Sequence, residues 1–386
     1  MAKLPALLSL LTVAVIACAS PETLVPTDPL VAEVAEFDEP DQLAAEVLVE
    51  PVRLNVPTYD GSGEMVHPDA VVFPRRWQGH RYWFAATPYP MGNAAFENPS
   101  AFTGDAADDW LDIAGVTNPL ARPTAGAYLS DPDLTYDRPH DRLRLYYRQT
   151  TDAADQIFLQ TSSTGGDWSV PTLVLQDSRY GLISPAVVRE PNGTWRMWAV
   201  NASVAGCRAR ASALTLTQRR SPDGLEWSAP EPVSLTITGR VPWHWDVQYI
   251  RARHEYWALV AAYPDGSNCS RTSIYFARSA DGTRWTVSPT PLLEPGVMAQ
   301  LHDLVYRSTF RYFANDAVVR VWFSGAREVE GKFHYALATA RYPLAEFLRR
   351  VDTPASPGAA PLVARSTEPR DTRLQDARDQ FISAFP

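Results

Sequence analysis

The chain has little cysteine, no long apolar run and no sustained helical period. Three cysteines in 386 residues are too few for a disulfide-dense scaffold. Neither Cys207 nor Cys269 has a Cys or His at ligand spacing, which argues against a structural zinc site. The apolar run from Leu4 to Ala17 is too short to span a bilayer comfortably. Basic residues form no stripe. The net charge is −9, and the stretch from Pro21 to Val52 holds nine acidic residues and no Lys or Arg. The remainder is therefore close to neutral, which argues against nucleic acid as a partner.

What is present is a repeat. Trp110, Trp168, Trp227 and Trp285 recur at roughly 58-residue intervals. Three of them close turns, Gly165-Gly-Asp-Trp168, Asp223-Gly-Leu-Glu-Trp227 and Asp281-Gly-Thr-Arg-Trp285. Ahead of each turn a polar triplet opens an apolar run: His67-Pro-Asp69, Asp131-Pro-Asp133, Ser184-Pro-Ala186, His244-Trp-Asp246 and, fifth, Leu301-His-Asp303. Runs of β-branched and aromatic residues follow, RYWFAAT, RLRLYYRQT, WRMWAVN, EYWALVAAY and VRVWFSG, each of strand type. Third strands read as IFLQTS, LTLTQRRS, SIYFARS and HYALATA, with the first unit less clear. Each unit is three or four antiparallel strands, and five units close as an all-β, five-bladed β-propeller. Pairing of the chain ends in one blade would remove the open edge of a linear array. The propeller is assigned to residues 55–350.

The termini read differently. Val15-Ile-Ala-Cys18 after Lys3 and an apolar stretch resembles the lipobox of bacterial lipoproteins, which implies a signal peptide over 1–18 and a lipid on Cys18; an ordinary secretory signal is the alternative. Ala19 and Ser20 carry no inner-membrane retention aspartate, so the expected address is the outer membrane or cell surface, with membrane contact through the lipid anchor only. Residues 19–54 are read as an acidic, extended tether. Residues 351–386 are read as a linker and a short helix, with Leu374, Ala377, Phe381 and Ile382 on one face. Cys207 in AGCRAR and Cys269 in GSNCSR lie in insertions of successive repeats; in an exported chain they are expected to form a disulfide between blades three and four.

Residues two apart on a strand share a face. The triplets are therefore expected to set His67, Asp69, Asp131, Asp133, Ser184, His244, Asp246 and Asp303 around one channel mouth. Crowded carboxylates there would raise one another's pKa values. Asp133 and Asp303 also suit turn capping. His67 and His244 are read as hydrogen-bonding groups, because two histidines on separate blades are a weak metal signal; no metal is expected from them. No cofactor is expected either, a structural calcium in the acid ring being the one exception considered. Trp243 and Tyr89 suit stacking on a sugar face, and Arg148 suits the funnel wall.

Asp131-Pro132 opening a strand, five units and aromatic second strands resemble the five-bladed propeller glycosidases of the arabinanase, invertase and levansucrase superfamily, notably glycoside hydrolase family 43. The strings HPDAVVF, YWFAATPYP, FENPSAF, TNPL and SDPDLTY look like those of a further propeller family of bacteria and phages. The resemblance spans most of residues 60–345. It implies an aspartate base in the first blade, a modulating aspartate in the second and a glutamate acid in the third. Asp131 matches the second; His67 stands at the first, with Asp69 as substitute; Ser184-Pro185 stands where the glutamate belongs. A glycosidase needs that proton donor, so hydrolysis is in doubt, with Glu97 and Asp246 as stand-ins. The catalytic candidates are Asp69, Asp131 and Asp246. The binding candidates are His67, Glu97, Asp133, Arg148, Ser184, Trp243, His244 and Asp303. Two functions remain open: a tethered glycoside hydrolase-like enzyme acting on an extracellular glycan or oligosaccharide, or a silent saccharide- or protein-binding propeller, monomeric in either case.

Overall fold

The computed structural model describes residues 50–352, apart from Ser270 and the side chain of Val204. Cys18, the tether up to residue 49 and the helix expected near the C-terminus lie outside the described residues.

The described chain opens with β1 (Val52–Arg53). Blade one is β2 (Met65–Trp77), β3 (His80–Pro88), β4 (Ser100–Gly104) and β5 (Leu111–Asp112). Blade two is β6 (Tyr128–Asp137), β7 (Arg142–Thr150), β8 (Ala154–Ser162) and β9 (Thr172–Ser178). Blade three is β10 (Ile183–Arg189), β11 (Trp195–Asn201), β12 (Thr215–Ser221) and β13 (Glu231–Val233). Blade four is β14 (Arg240–Ile250), β15 (Glu255–Pro264), β16 (Ser273–Ser279) and β17 (Thr286–Val287). Blade five is β18 (Leu304–Phe313), β19 (Val318–Val329) and β20 (Lys332–Pro343), completed by β1. The five four-stranded antiparallel sheets form the expected five-bladed propeller, and β2, β6, β10, β14 and β18 neighbour one another in a closed cycle around the axis.

At the ring closure Val52 lies opposite Thr339 and Arg53 opposite Ala338, both β1 side chains exposed, while Leu54 and Val56 just after them are buried in the cluster of Leu337 and Trp322. The sequence reading left Val52 and Arg53 in the tether, because a strand without a buried face carries no alternation signal. A second difference is α1 (Leu344–Asp352), within what was read as the end of the propeller. Phe347 stacks on Trp257 with ring centroids 5.9 Å apart, and Val351 is buried beside it.

The recurrent turns are interblade fasteners. In blades three and four the Asp223 and Asp281 carboxylates accept backbone N–H groups of their own turns, as short polar side chains do in tight turns. The exposed carbonyls of those turns are bonded by the preceding blade. Arg144 and Tyr146 of β7 donate to Asp223 O and Gly224 O; Arg196 and Trp198 of β11 donate to Asp281 O and Gly282 O. Glycine is required there: a Cβ on Gly282 would lie 2.5 Å from Arg196 Nη1 and 2.9 Å from the Trp198 ring. Trp322 of blade five completes the cycle by donating to Ala107 O of blade one, 2.7 Å away. Cys207 and Cys269 form the expected disulfide, joining the loops that follow the second strands of blades three and four.

Candidate functional site

Every inner strand carries a bulge at or beside its polar triplet: the register shifts between Val66 and Asp69, Ser130 and Asp133, Ile183 and Ala186, Pro242 and His244, and Val305 and Ser308. His67, Asp131 and Ser184 sit there with φ of 55°, 53° and 53°. The left-handed region costs a non-glycine residue about 1–2 kcal/mol. Such strain persists where the surroundings fix it, and bulges re-aim side chains.

The bulges split the expected single ring into two levels. At one level Asp131 is the hub. Its Oδ1 lies 3.5 Å from His67 Nε2, 3.3 Å from His244 Nδ1 and 3.5 Å from Arg307 Nη1. Its Oδ2 lies 3.0 Å from Arg148 Nε and accepts the Ser184 N–H at 3.3 Å. Glu97 Oε1 is 3.4 Å from His67 Nδ1, presented by a loop that Asn98 ties to Tyr59. His244 packs edge-on against Tyr306 and Trp243, at 4.6 and 5.7 Å between centroids. His67, Asp131 and His244 are 2% exposed or less, whereas Tyr89, Tyr128, Tyr180 and Tyr306 above them keep partial exposure.

The electrostatics follow from burial and charge. Burial would raise the Asp131 pKa, but Arg148, His67 and His244 outweigh it and hold the carboxyl well below its usual range. Burial pushes both histidines down, against the pull of Asp131, so both imidazoles are neutral. Burial, with Asp131 nearby, pushes Glu97 well up, and Arg148 only partly offsets this. The level thus pairs a carboxyl pushed toward its ionised form with one pushed toward its protonated form.

At the second level the acids are structural stitches. Asp69 Oδ2 accepts the Leu134 N–H, Asp133 Oδ2 the Val187 N–H and Asp246 Oδ2 the Phe310 N–H, each from the next blade. Thr309 Oγ1 lies 2.9 Å from both Asp69 Oδ1 and Asp246 Oδ2. Burial and Asp69 raise the Asp246 pKa to about 6, and burial with Asp69 and Asp246 raises Asp133 well above its usual value.

Of the three catalytic candidates, Asp131 therefore joins the histidine level, while Asp69 and Asp246 serve as interblade acceptors. Asp303 is not a ring member. It precedes β18, is partly exposed, and accepts the Glu328 N–H. The axial places in blade five belong to Tyr306, Arg307, Thr309 and Arg311. Sequence reading missed these because it placed the fifth triplet at Leu301-His-Asp303, just ahead of β18, and not within the strand. Aligning the apolar run LVYRSTF on its strand register would have found them. Ser184 bonds Trp245 O and N through its hydroxyl. Arg148 reaches the axis as expected, and Trp243 and Tyr89 flank the histidine level. Glu190, whose face the sequence left open, binds Tyr256, Thr194 and Arg196 between blades three and four.

His67 and His244, on separate blades, are only a weak metal signal in sequence, yet their donor atoms and one from Asp131 all lie within 4.8 Å of one another. His67 Nε2, both His244 nitrogens and Asp131 Oδ1 are buried without a hydrogen-bond partner. Buried polar atoms are normally satisfied. Two neutral imidazoles and one carboxylate are the donor set of borderline divalent ions such as zinc, iron or manganese, so the residues fit such an ion, with Arg148 and Arg307 as opposing charge and Glu97 as a further acid nearby.

No protein-family model matches the chain. Over 313 residues it is 28% identical to the A type blood N-acetyl-α-D-galactosamine deacetylase of Flavonifractor plautii, a match covering 69% of this chain and 40% of that protein. The chain thus spans about two-fifths of the length of this curated relative. The crystal structure of an N-acetylgalactosamine deacetylase from F. plautii, in complex with blood group B trisaccharide, superposes with a TM-score of 0.74 at 24% identity, over 80% of this chain and 98% of that one. A family 43 glycoside hydrolase from Bacillus licheniformis superposes with a TM-score of 0.52 at 15% identity, over 75% and 54%. The chain has the five-bladed fold of the propeller glycosidases and of this deacetylase.

Proposed function

We propose that the protein is a carbohydrate-active hydrolase that removes the acetyl group from an N-acetylated amino sugar in a glycan, at the His67–Asp131–His244 cluster. The carrying observation is that cluster's set of buried donor atoms, converging without a hydrogen bond among them, beside Glu97, whose pKa burial raises. The deacetylase relative supports the bond type. Ser184 in place of the third-blade glutamate speaks against glycosidic cleavage, which needs an acid at the leaving oxygen.

A divalent ion, when bound by His67, Asp131 and His244, supplies Lewis-acid polarisation of a carbonyl and of water. The chain supplies the rest. Arg148 keeps Asp131 ionised and oriented. Arg307, with Nε and Nη1 unbonded, offers donors to charge developing on the amide oxygen. As water adds to the carbonyl carbon and the C–N bond breaks, Glu97 would give a proton to the departing amine and take one from the added water, so that acetic acid leaves and Glu97 is protonated again. The partly exposed tyrosines supply apolar faces for the sugar rings. Export as a lipoprotein bearing its lipid on Cys18 would put this activity at the cell surface; metabolic labelling with palmitate, lost in Cys18→Ser, tests that part.

The test is acetate release from N-acetylgalactosamine-terminated oligosaccharides, after chelation and then with added zinc, manganese or cobalt. Metal-dependent acetate release that Asp131→Asn and Glu97→Gln abolish supports the reading. Release of reducing sugar instead of acetate, or no release with any ion, sinks it. The near-complete burial of the cluster favours a second reading, a silent saccharide-binding propeller, for which glycan binding without turnover is the expected result.

A further inference from the structure

The end of the axis away from the histidine level opens into a cavity of about 160 Å³ to which all five blades contribute. Of its lining residues Asp69 and Asp133 are buried, Gln248, Arg311 and Arg189 are half-buried, and Arg251 is exposed. The fold leaves two of these groups unaccounted for. Asp133 is 3% exposed and its Oδ2 is bonded to Val187 N, yet its Oδ1 has no partner. Among the described residues no cation lies within ion-pair distance of it, because Arg311 is engaged by Asp69 at 3.6 Å and Asp246 at 4.0 Å. Arg251 is exposed and makes no side-chain hydrogen bond or ion pair among the described residues. Arg189 lies 4.0 Å from Asp137 Oδ1 and 6.0 Å from the centre of the Trp195 ring.

A buried carboxylate oxygen lacking a partner is costly, and each such atom in a native structure calls for one. A bare metal ion is a poor candidate: among the described residues, three donor atoms of metal-binding type converge only at His67, Asp131 and His244. A simple anion would meet the buried carboxylates, and a simple cation the arginines. The acids are the buried members of the lining and Arg251 the exposed one, and an ammonium on Asp133 would offset the burial and the Asp69 and Asp246 repulsion that raise its pKa; a ligand carrying both charges suits both ends.

We propose that this cavity is a second binding site, distinct from the histidine cluster, for a small zwitterion of the amino acid class, with its ammonium on Asp133 Oδ1 and its carboxylate between Arg189 and Arg251. Guanidinium recognises carboxylate through paired, charge-assisted hydrogen bonds. A cavity of this size admits a molecule on the scale of glycine to γ-aminobutyrate.

The experiment is calorimetric and NMR titration of the full protein with glycine and γ-aminobutyrate, using acetate and methylammonium as single-charge probes. Saturable binding of a zwitterion is expected, with both single-charge probes weaker by about tenfold or more. Arg251→Ala should weaken zwitterion binding about tenfold without moving the unfolding midpoint, since Arg251 is exposed. Asp133→Asn should abolish binding; because Asp133 also ties blade two to blade three, Arg251→Ala decides if that variant does not fold. No saturable zwitterion binding, equal binding of acetate or methylammonium, or unchanged affinity in Arg251→Ala overturns the proposal.

Discussion

Arg148 Nε lies 3.0 Å from Asp131 Oδ2, with both side chains almost wholly buried. Arg148 comes from the second strand of blade two and reaches past Ser130 to the axis, where it also meets Asp155 at 3.4 Å. Removing one partner of a buried ion pair strands the other charge, at a cost of about 3–5 kcal/mol. Arg148→Met should therefore destabilise by about that amount in urea unfolding. Adding Asp131→Asn should recover part of the loss, and a double-mutant cycle showing strict additivity would refute the coupling.

Stability should fall as the solution is made acid. In the unfolded chain His67 and His244 take up protons below about pH 6.5, whereas burial keeps them neutral in the fold to lower pH. The unfolded state then binds more protons, so stability declines as pH drops through 6.5. Asp131, held low, adds its own loss only below its unfolded value of 3.8. Glu97, held high, acts the other way: it binds a proton in the fold before the unfolded chain does, so it gains stability as pH falls toward 4.5. Thermal midpoints across pH 4–8 should show a shallower acid loss in a His67→Gln, His244→Gln double variant and a steeper one in Glu97→Gln.

Gly282 and Gly61 share positive φ, at 67° and 75°, but a Cβ on Gly282 collides with Arg196 and Trp198 while one on Gly61 meets nothing within 4 Å. Gly61→Ala should cost about 1 kcal/mol of backbone strain. Gly282→Ala should cost clearly more, because Arg196 is pinned by Gln218, Asp281 and Thr283 and cannot withdraw. Equal losses in chemical unfolding would mean that the turn is not an interblade fastener.

The Cys207–Cys269 bond joins residues 62 apart in sequence and holds the loop whose Gly206 lies against the Tyr180 ring. Replacing both cysteines by serine should lower stability by about 2–4 kcal/mol. It should also raise hydrogen exchange in residues 202–214 before the blades themselves open. Unchanged exchange there would show that the loop is held by other contacts.

The propeller was legible because its determinants are local. Strand runs, turn residues and the tryptophan period are each set within a few residues, and the disulfide followed from two cysteines in adjacent repeats. Asp131 and Arg148 were legible for the same reason, lying in a repeat with a strong motif. Arg307, Tyr306 and Thr309 were not, since the polar triplet nearest to them, Leu301-His-Asp303, lies ahead of the inner strand β18. Asp303, the nearest acid, was taken in their place.

The sequence alone determined the number of blades, the order of their main strands and the polar residues that open the inner strands of blades one to four, because periodicity and turn chemistry need no distant partner. Only the tertiary structure decided which of those residues meet. Asp69 and Thr309 share a hydrogen bond across 240 residues of chain, and His67, Asp131 and His244 converge from three blades. The bulges and left-handed backbone at His67 and Asp131 turn residues two apart onto different levels of the axis, a displacement that the two-residue alternation of a regular strand cannot express.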